Sequence, residues 1–199
     1  MKSIVKEKGA VTFPKHTMER VYMKAFHKEV GLPAELKRWQ PTIDQMLLEV
    51  DTDGPIYLMI DQGLVKANTT HRRKGVHIDG YWVPELQTHG GGHRTHIHTA
   101  GKWQDDIPKW NAGSEDWPDE AIILASSVAA SAAYIGEWSG EIREGGDCSH
   151  LDLSDLQRIA LQANKIYVGN VTMLHESTPV MEDVLRTLVR LSVPGWSPM

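Results

Sequence analysis

The stretch "GVHIDGYWV", Gly75–Val83, decides how the rest of this chain is read. It reads as a β-strand, and side chains two apart on a strand point to one face. His77 and Asp79 therefore share a face. An imidazole and a carboxylate aimed together into a sheet interior carry a desolvation cost unless something binds them. A metal ion meets that need, and the remaining ligands have to come from elsewhere in the sequence.

Outward from this stretch the strand character continues. "PIYLMIDQGLVKA" precedes it, and "AIILASSV", "SAAYIGEW", "KIYVGNVTML" and "RTLVRLSV" follow, punctuated by Gly, Asp and Pro. Residues 1–50 read differently. "KHTMERVYMKAFHKEV" has apolar residues at helical spacing, and "PAELKRWQPTIDQMLLEV" reads as a second, proline-interrupted helical stretch. A late helix is expected over "LDLSDLQRIALQAN", where Ser154 and Gln157 have the spacing of a capping box. The expectation is one domain over 1–199: a helical N-terminal region (1–50), then a β-domain (51–199) with a long insertion at 84–120.

Composition narrows the classes. The 199 residues are 41% hydrophobic and 24% charged, with a formal net charge of −5. That profile is globular and lacks the basic surplus of a protein that grips nucleic acid through phosphates alone. No apolar run suggests a signal peptide or a membrane span, and the single Cys148 excludes an internal disulfide. A soluble cytoplasmic protein is the expectation.

A third ligand should come from a strand facing the first. "NVTMLHESTPV" supplies His175 at the end of an apolar strand, and Arg186 opens the last strand eleven positions later. Two imidazoles and one carboxylate on one side of an ion leave the opposite positions open, the arrangement of non-haem Fe(II) oxygenases.

On His77-x-Asp79, His175 and Arg186, the chain resembles the Fe(II)/2-oxoglutarate-dependent dioxygenases. "LHESTPVMEDVLRTLVRL" is most similar to the prolyl-4-hydroxylase-like branch. The resemblance covers roughly residues 56 to 193, with its specific motifs on about twenty of them. It implies a double-stranded β-helix (a jelly-roll, cupin-like), mainly β with N-terminal helices. It also implies an oxidoreductase that holds iron through His77, Asp79 and His175 and uses 2-oxoglutarate and dioxygen. The substrate would be hydroxylated with release of succinate and CO2. Arg186 would pair with the far carboxylate of 2-oxoglutarate, and Arg190 is its rival, four residues on and on the same side of the strand. The prolyl-hydroxylase type often carries a tyrosine three positions before the first His, where this chain has Lys74. Tyr57, on the preceding strand, is the candidate for that hydroxyl.

The substrate side has fewer markers. Tyr81 and Trp82 follow the first ligands, one expected to line the pocket and the other to pack in the core. Four of the ten histidines lie between His89 and His98, and His96 and His98 would share a strand face. They are read as loop histidines near the substrate or solvent rather than a second metal site. The segment His89–Trp117, with its glycines and tryptophans, is expected to form a movable rim of the pocket. The main substrate stays open between a nucleobase, a protein side chain and a metabolite. Two other classes compete. One is a jelly-roll module that binds or assembles without catalysis. The other is a 2H-type phosphoesterase using His93 and His175, two His-x-Thr/Ser tripeptides.

Overall fold

The computed structural model describes residues 1–85, 87–90, 98–99, 102–103 and 117–198. Strands β1 (Lys2–Ser3), β2 (Val5–Ala10) and β3 (Arg20–Phe26) come first, then a 3-10 turn (Ala34–Trp39) running into helix α1 (Gln40–Met46). The long strand β4 (Ile56–Val65) follows, then a hairpin of β5 (Tyr81–Val83) and β6 (Thr88–Gly90). Two short strands, β7 (His98–Thr99) and β8 (Lys102–Trp103), pair with one another. The chain closes with β9 (Glu120–Ser126), β10 (Ser131–Glu137), β11 (Gln157–Ala160), β12 (Lys165–Asn170), β13 (Leu174–Ser177) and β14 (Val184–Pro194).

Six strands form one antiparallel sheet in the order β2-β12-β9-β14-β4-β3. Its central strands are buried on both faces, which is why they read as continuous apolar runs. One face presents Ile56, Leu58, Ile123, Val189 and Leu191 to Leu36, Trp39, Ile43 and Met46 of the helical segment. The other face presents Ile122, Leu124 and Tyr167 to Ala133, Ile135 and Ile159 of a second antiparallel sheet. That second sheet centres on β10, which pairs with β11 and β13 and, at its far end, with β1. The two sheets thus pack face to face, and the strand alternation of β14 sends Arg186, Leu188 and Arg190 into the space between them. Among the described residues, no helix is long and apolar enough to cross a membrane.

Three sequence expectations are corrected. The helix expected over "KHTMERVYMKAFHKEV" is strand β3. Its pairing with β4 slips between Val21 and Lys24, so that Tyr22 and Met23 both oppose Met59, with Met23 at φ 48°. A bulge of this kind inserts one residue into the alternation. It leaves Met23 and Phe26 both buried three apart, which imitates a helical period. Of the helical region expected over 1–50, only Ala34–Met46 is helical.

The helix expected at "LDLSDLQRIALQAN" is a turn followed by β11. Ser154 caps nothing; its backbone N–H donates to Asp152 Oδ1 at 3.0 Å in an Asx-type turn. Burial of Ile159 and Leu161 against the large sheet outweighs the local helical spacing.

Finally, Gly75–Val83 is not one strand. His77 makes isolated bridges on both sides, Gly80 turns the chain at φ 69°, and only Tyr81–Val83 is a regular strand.

Candidate metal centre

His77 and His175 are 98 positions apart in sequence and meet through their backbones. His77 N–H donates to His175 O at 2.9 Å, and His175 N–H returns to His77 O at 3.0 Å. Residues that exchange both bonds in an antiparallel pair put their side chains on the same face. Here the two rings lie with centroids 4.3 Å apart. On the other side of His175 the neighbour is Ala133, which has no bulk to crowd the ring. Val76 and Ile78 pack with Trp138, Ile142, Cys148 and Leu174, so alternation sends His77 and Asp79 the other way. The potential ligand atoms of His77, Asp79 and His175 all lie within 4.8 Å of one another, and the group can hold a metal ion.

The donor chemistry fits a divalent cation. His77 Nδ1–H donates to Gly75 O at 2.9 Å, and His175 Nδ1–H to Met173 O at 3.1 Å. A carbonyl only accepts, so each bond places the proton on Nδ1 and leaves the Nε2 lone pair for a metal. His175 Nε2 lies 3.3 Å from Asp79 Oδ2. In that tautomer a lone pair faces a carboxylate oxygen, and a cation between them satisfies both. Burial, then the neighbouring His175, pushes the His77 pKa down to about 3, which keeps it neutral. Burial alone would raise the Asp79 carboxyl, but Arg190 and then His175 outweigh it and hold it well below the usual range.

The triad opens on a cavity of about 650 Å³ between the two sheets, a size typical of small-molecule sites. Both candidate arginines line it, in different states. Arg190 Nη1 pairs with Asp79 Oδ2 at 2.9 Å, and its Nη2 donates to His89 Nε2 at 3.0 Å and Ser192 Oγ at 3.3 Å. Its guanidinium is committed to the metal side. Arg186 is 1% exposed; its Nε donates to Ser126 Oγ at 2.8 Å and its Nη2 to Ser131 Oγ at 2.9 Å. Its Nη1 is buried with no hydrogen-bond partner, and burial lowers its pKa to about 10.

The other expected residues fall as follows. Tyr57 is not on the cavity wall; it packs with Met23, Met59 and Trp82. Trp82 is the core member of its pair, 7% exposed, and Tyr81 is half-buried on β5 and likewise off the wall. His98 lies on β7, while His96 and most of the expected pocket rim, including His93, lie outside the described residues. Trp117, at the rim's far end, packs against the cluster beneath His77.

Sequence reasoning missed His71, His89 and Glu120. His71 sits in a polar turn with no periodic signal. His89 belongs to the noted cluster, yet only the β5–β6 pairing brings it over Arg190. Glu120 is 2% exposed and takes the Trp82 N–H on both oxygens, at 3.2 and 3.1 Å. An acid opening a fully buried apolar strand was its one sequence signal.

No family model and no curated protein matches the chain. Among solved structures, AviO1 from Streptomyces viridochromogenes Tue57 aligns over 100% of this chain and 93% of its own at 11% identity and a TM-score of 0.39.

Proposed function

We propose that this chain is an Fe(II)- and 2-oxoglutarate-dependent dioxygenase on a double-stranded β-helix, hydroxylating a substrate with release of succinate and CO2. The observation that carries this reading is a pairing within one cavity: a His/Asp/His ligand set and a buried guanidinium that no carboxylate touches among the described residues, Asp61 acting on it only from a distance. An unpaired charge in the interior is costly, so the cavity is suited to an acid that reaches Arg186 while its other end faces the triad. 2-Oxoglutarate has that form. Fe(II), when bound, supplies activation of dioxygen and a site for the 2-oxo acid head.

The chain's own residues supply the rest. His77, Asp79 and His175 would hold the metal on one side and leave the other side free. Ser126 and Ser131 take one N–H each from Arg186, which leaves an Nη1–Nη2 fork for a bidentate carboxylate. Arg190 keeps Asp79 oriented. Leu124, Leu161 and Leu188 give the space between the sheets apolar walls that exclude water.

The test is anaerobic titration with Fe(II) and 2-oxoglutarate, followed by succinate detection when oxygen is admitted. Metal-dependent 2-oxoglutarate binding and succinate release are expected. Absence of 2-oxoglutarate binding to the metal-loaded protein overturns the reading. Binding with no succinate under any candidate substrate favours the non-catalytic module.

A further inference from the structure

A second group stands beside Arg186 in the cavity wall. Arg186 pairs across the sheet with Gly63 of β4, and a Cβ at Gly63 would lie 3.1 Å from His71 Nε2. The glycine thus makes room for the His71 imidazole on the face that carries Arg186. The His71 side chain is 8% exposed and lines the same cavity as the triad. Neither of its nitrogens has a hydrogen-bond partner, although Nε2 lies 3.5 Å from Asp61 Oδ1. A buried imidazole with both nitrogens unsatisfied costs free energy unless a ligand completes it.

We propose that His71 is the second anchor, with Arg186, for the acid group at the inner end of the cavity, and that it becomes doubly protonated when that acid binds. This rests on reading the cavity as a 2-oxo acid site; what it adds is the residue that selects the distal carboxylate, a role Tyr57 cannot fill from the core. The protonation follows from counting donors. A neutral imidazole has one N–H, whereas the bound state would offer two acceptors, Asp61 and the ligand carboxylate. Asp61 Oδ2 already accepts from Arg72, so what His71 would serve is Asp61 Oδ1 and the ligand together, and donating to both at once takes the imidazolium. In the free protein the balance runs the other way. Burial lowers the His71 pKa, Asp61 opposes this, and the Arg186, Arg72 and Arg20 cations add to it. An incoming carboxylate beside Arg186 offsets those cations.

The test compares 2-oxoglutarate with 2-oxobutyrate, which keeps the 2-oxo acid head and lacks the distal carboxylate. Both are titrated calorimetrically into the Mn(II)-loaded protein without oxygen. His71→Ala should weaken 2-oxoglutarate roughly 10- to 100-fold and leave 2-oxobutyrate unchanged, which also serves as the folding control. In the wild type, 2-oxoglutarate should bind more tightly as pH falls from about 8 to about 6, and in His71→Gln that slope should be flat. Equal loss of both ligands in His71→Ala makes His71 structural and overturns the inference. So does an unchanged 2-oxoglutarate affinity, or a pH slope that persists in His71→Gln. A wild type that binds 2-oxobutyrate as tightly as 2-oxoglutarate overturns the distal-carboxylate anchor while the 2-oxo acid site stands, and one that binds neither overturns the 2-oxo acid reading as well.

Discussion

Arg190 grips Asp79 through the same oxygen that faces His175: Nη1 lies 2.9 Å from Oδ2, and His175 Nε2 lies 3.3 Å from it. The contact fixes the carboxylate's rotation. His89 and Ser192 hold the guanidinium in turn. Partners that orient a metal ligand commonly account for 10- to 100-fold in affinity, roughly. Arg190→Met should therefore weaken divalent-metal binding by about tenfold or more, read by Mn(II) titration. A tighter metal site in that variant would mean that Arg190 competes with the ion for Asp79.

Metal binding should appear as stability. At a metal concentration about 100-fold above the dissociation constant, linkage adds about 2.7 kcal/mol, or a Tm rise of about 5–10 °C for a domain of this size. Fe(II) or Mn(II) should produce that rise in the wild type, and His77→Ala or His175→Ala should remove it. A shift of equal size in both variants would place the ion elsewhere.

Arg186 separates binding from stability. Its guanidinium is buried with no carboxylate in direct contact among the described residues, Asp61 acting only from a distance, and an apolar side chain of similar length avoids that desolvation. Arg186→Met should raise Tm slightly while weakening 2-oxoglutarate by roughly 10- to 100-fold. The metal-induced Tm rise should persist. Arg190→Met should not reproduce this pattern, since Arg190 already has Asp79. If it does, the two arginines have exchanged roles.

What was legible in the sequence were the features fixed by side-chain alternation. His77-x-Asp79 share a face because alternation holds even at an isolated bridge, and the apolar runs of β4, β9 and β14 are buried on both sides. His175 was found because it follows an apolar strand, and its pairing with His77 turned that placement into a site. What was not legible depends on contacts between distant segments. The bulge at Tyr22–Met23 imitates a helix locally, and only its partner Met59 reveals it. Alternation does not separate Arg186 from Arg190, because both point to one side, and the preference for Arg186 rests on the spacing of the family the chain resembles. Which of them meets Asp79 depends on how the two sheets are offset. His71 was invisible because its position depends on the missing side chain of Gly63.

Glu120 yields a pH-dependent prediction. Burial pushes its carboxyl from 4.5 up to about 7, against the opposing pull of the Trp82 N–H, Arg190 and Ser192. The folded state therefore holds a proton that the unfolded chain has released. Stability contributed by that proton is fully present below about pH 4.5, falls as pH rises, and is lost through pH 7. The shift corresponds to a penalty of about 3 kcal/mol above pH 7. Glutamine keeps the carbonyl that accepts from Trp82 and never ionises. Glu120→Gln should be the more stable protein in denaturant melts at pH 8, with the advantage shrinking to nearly nothing at pH 4.5. A constant difference at the two pH values would mean that Glu120 is already ionised in the folded protein, with its charge compensated by Arg190.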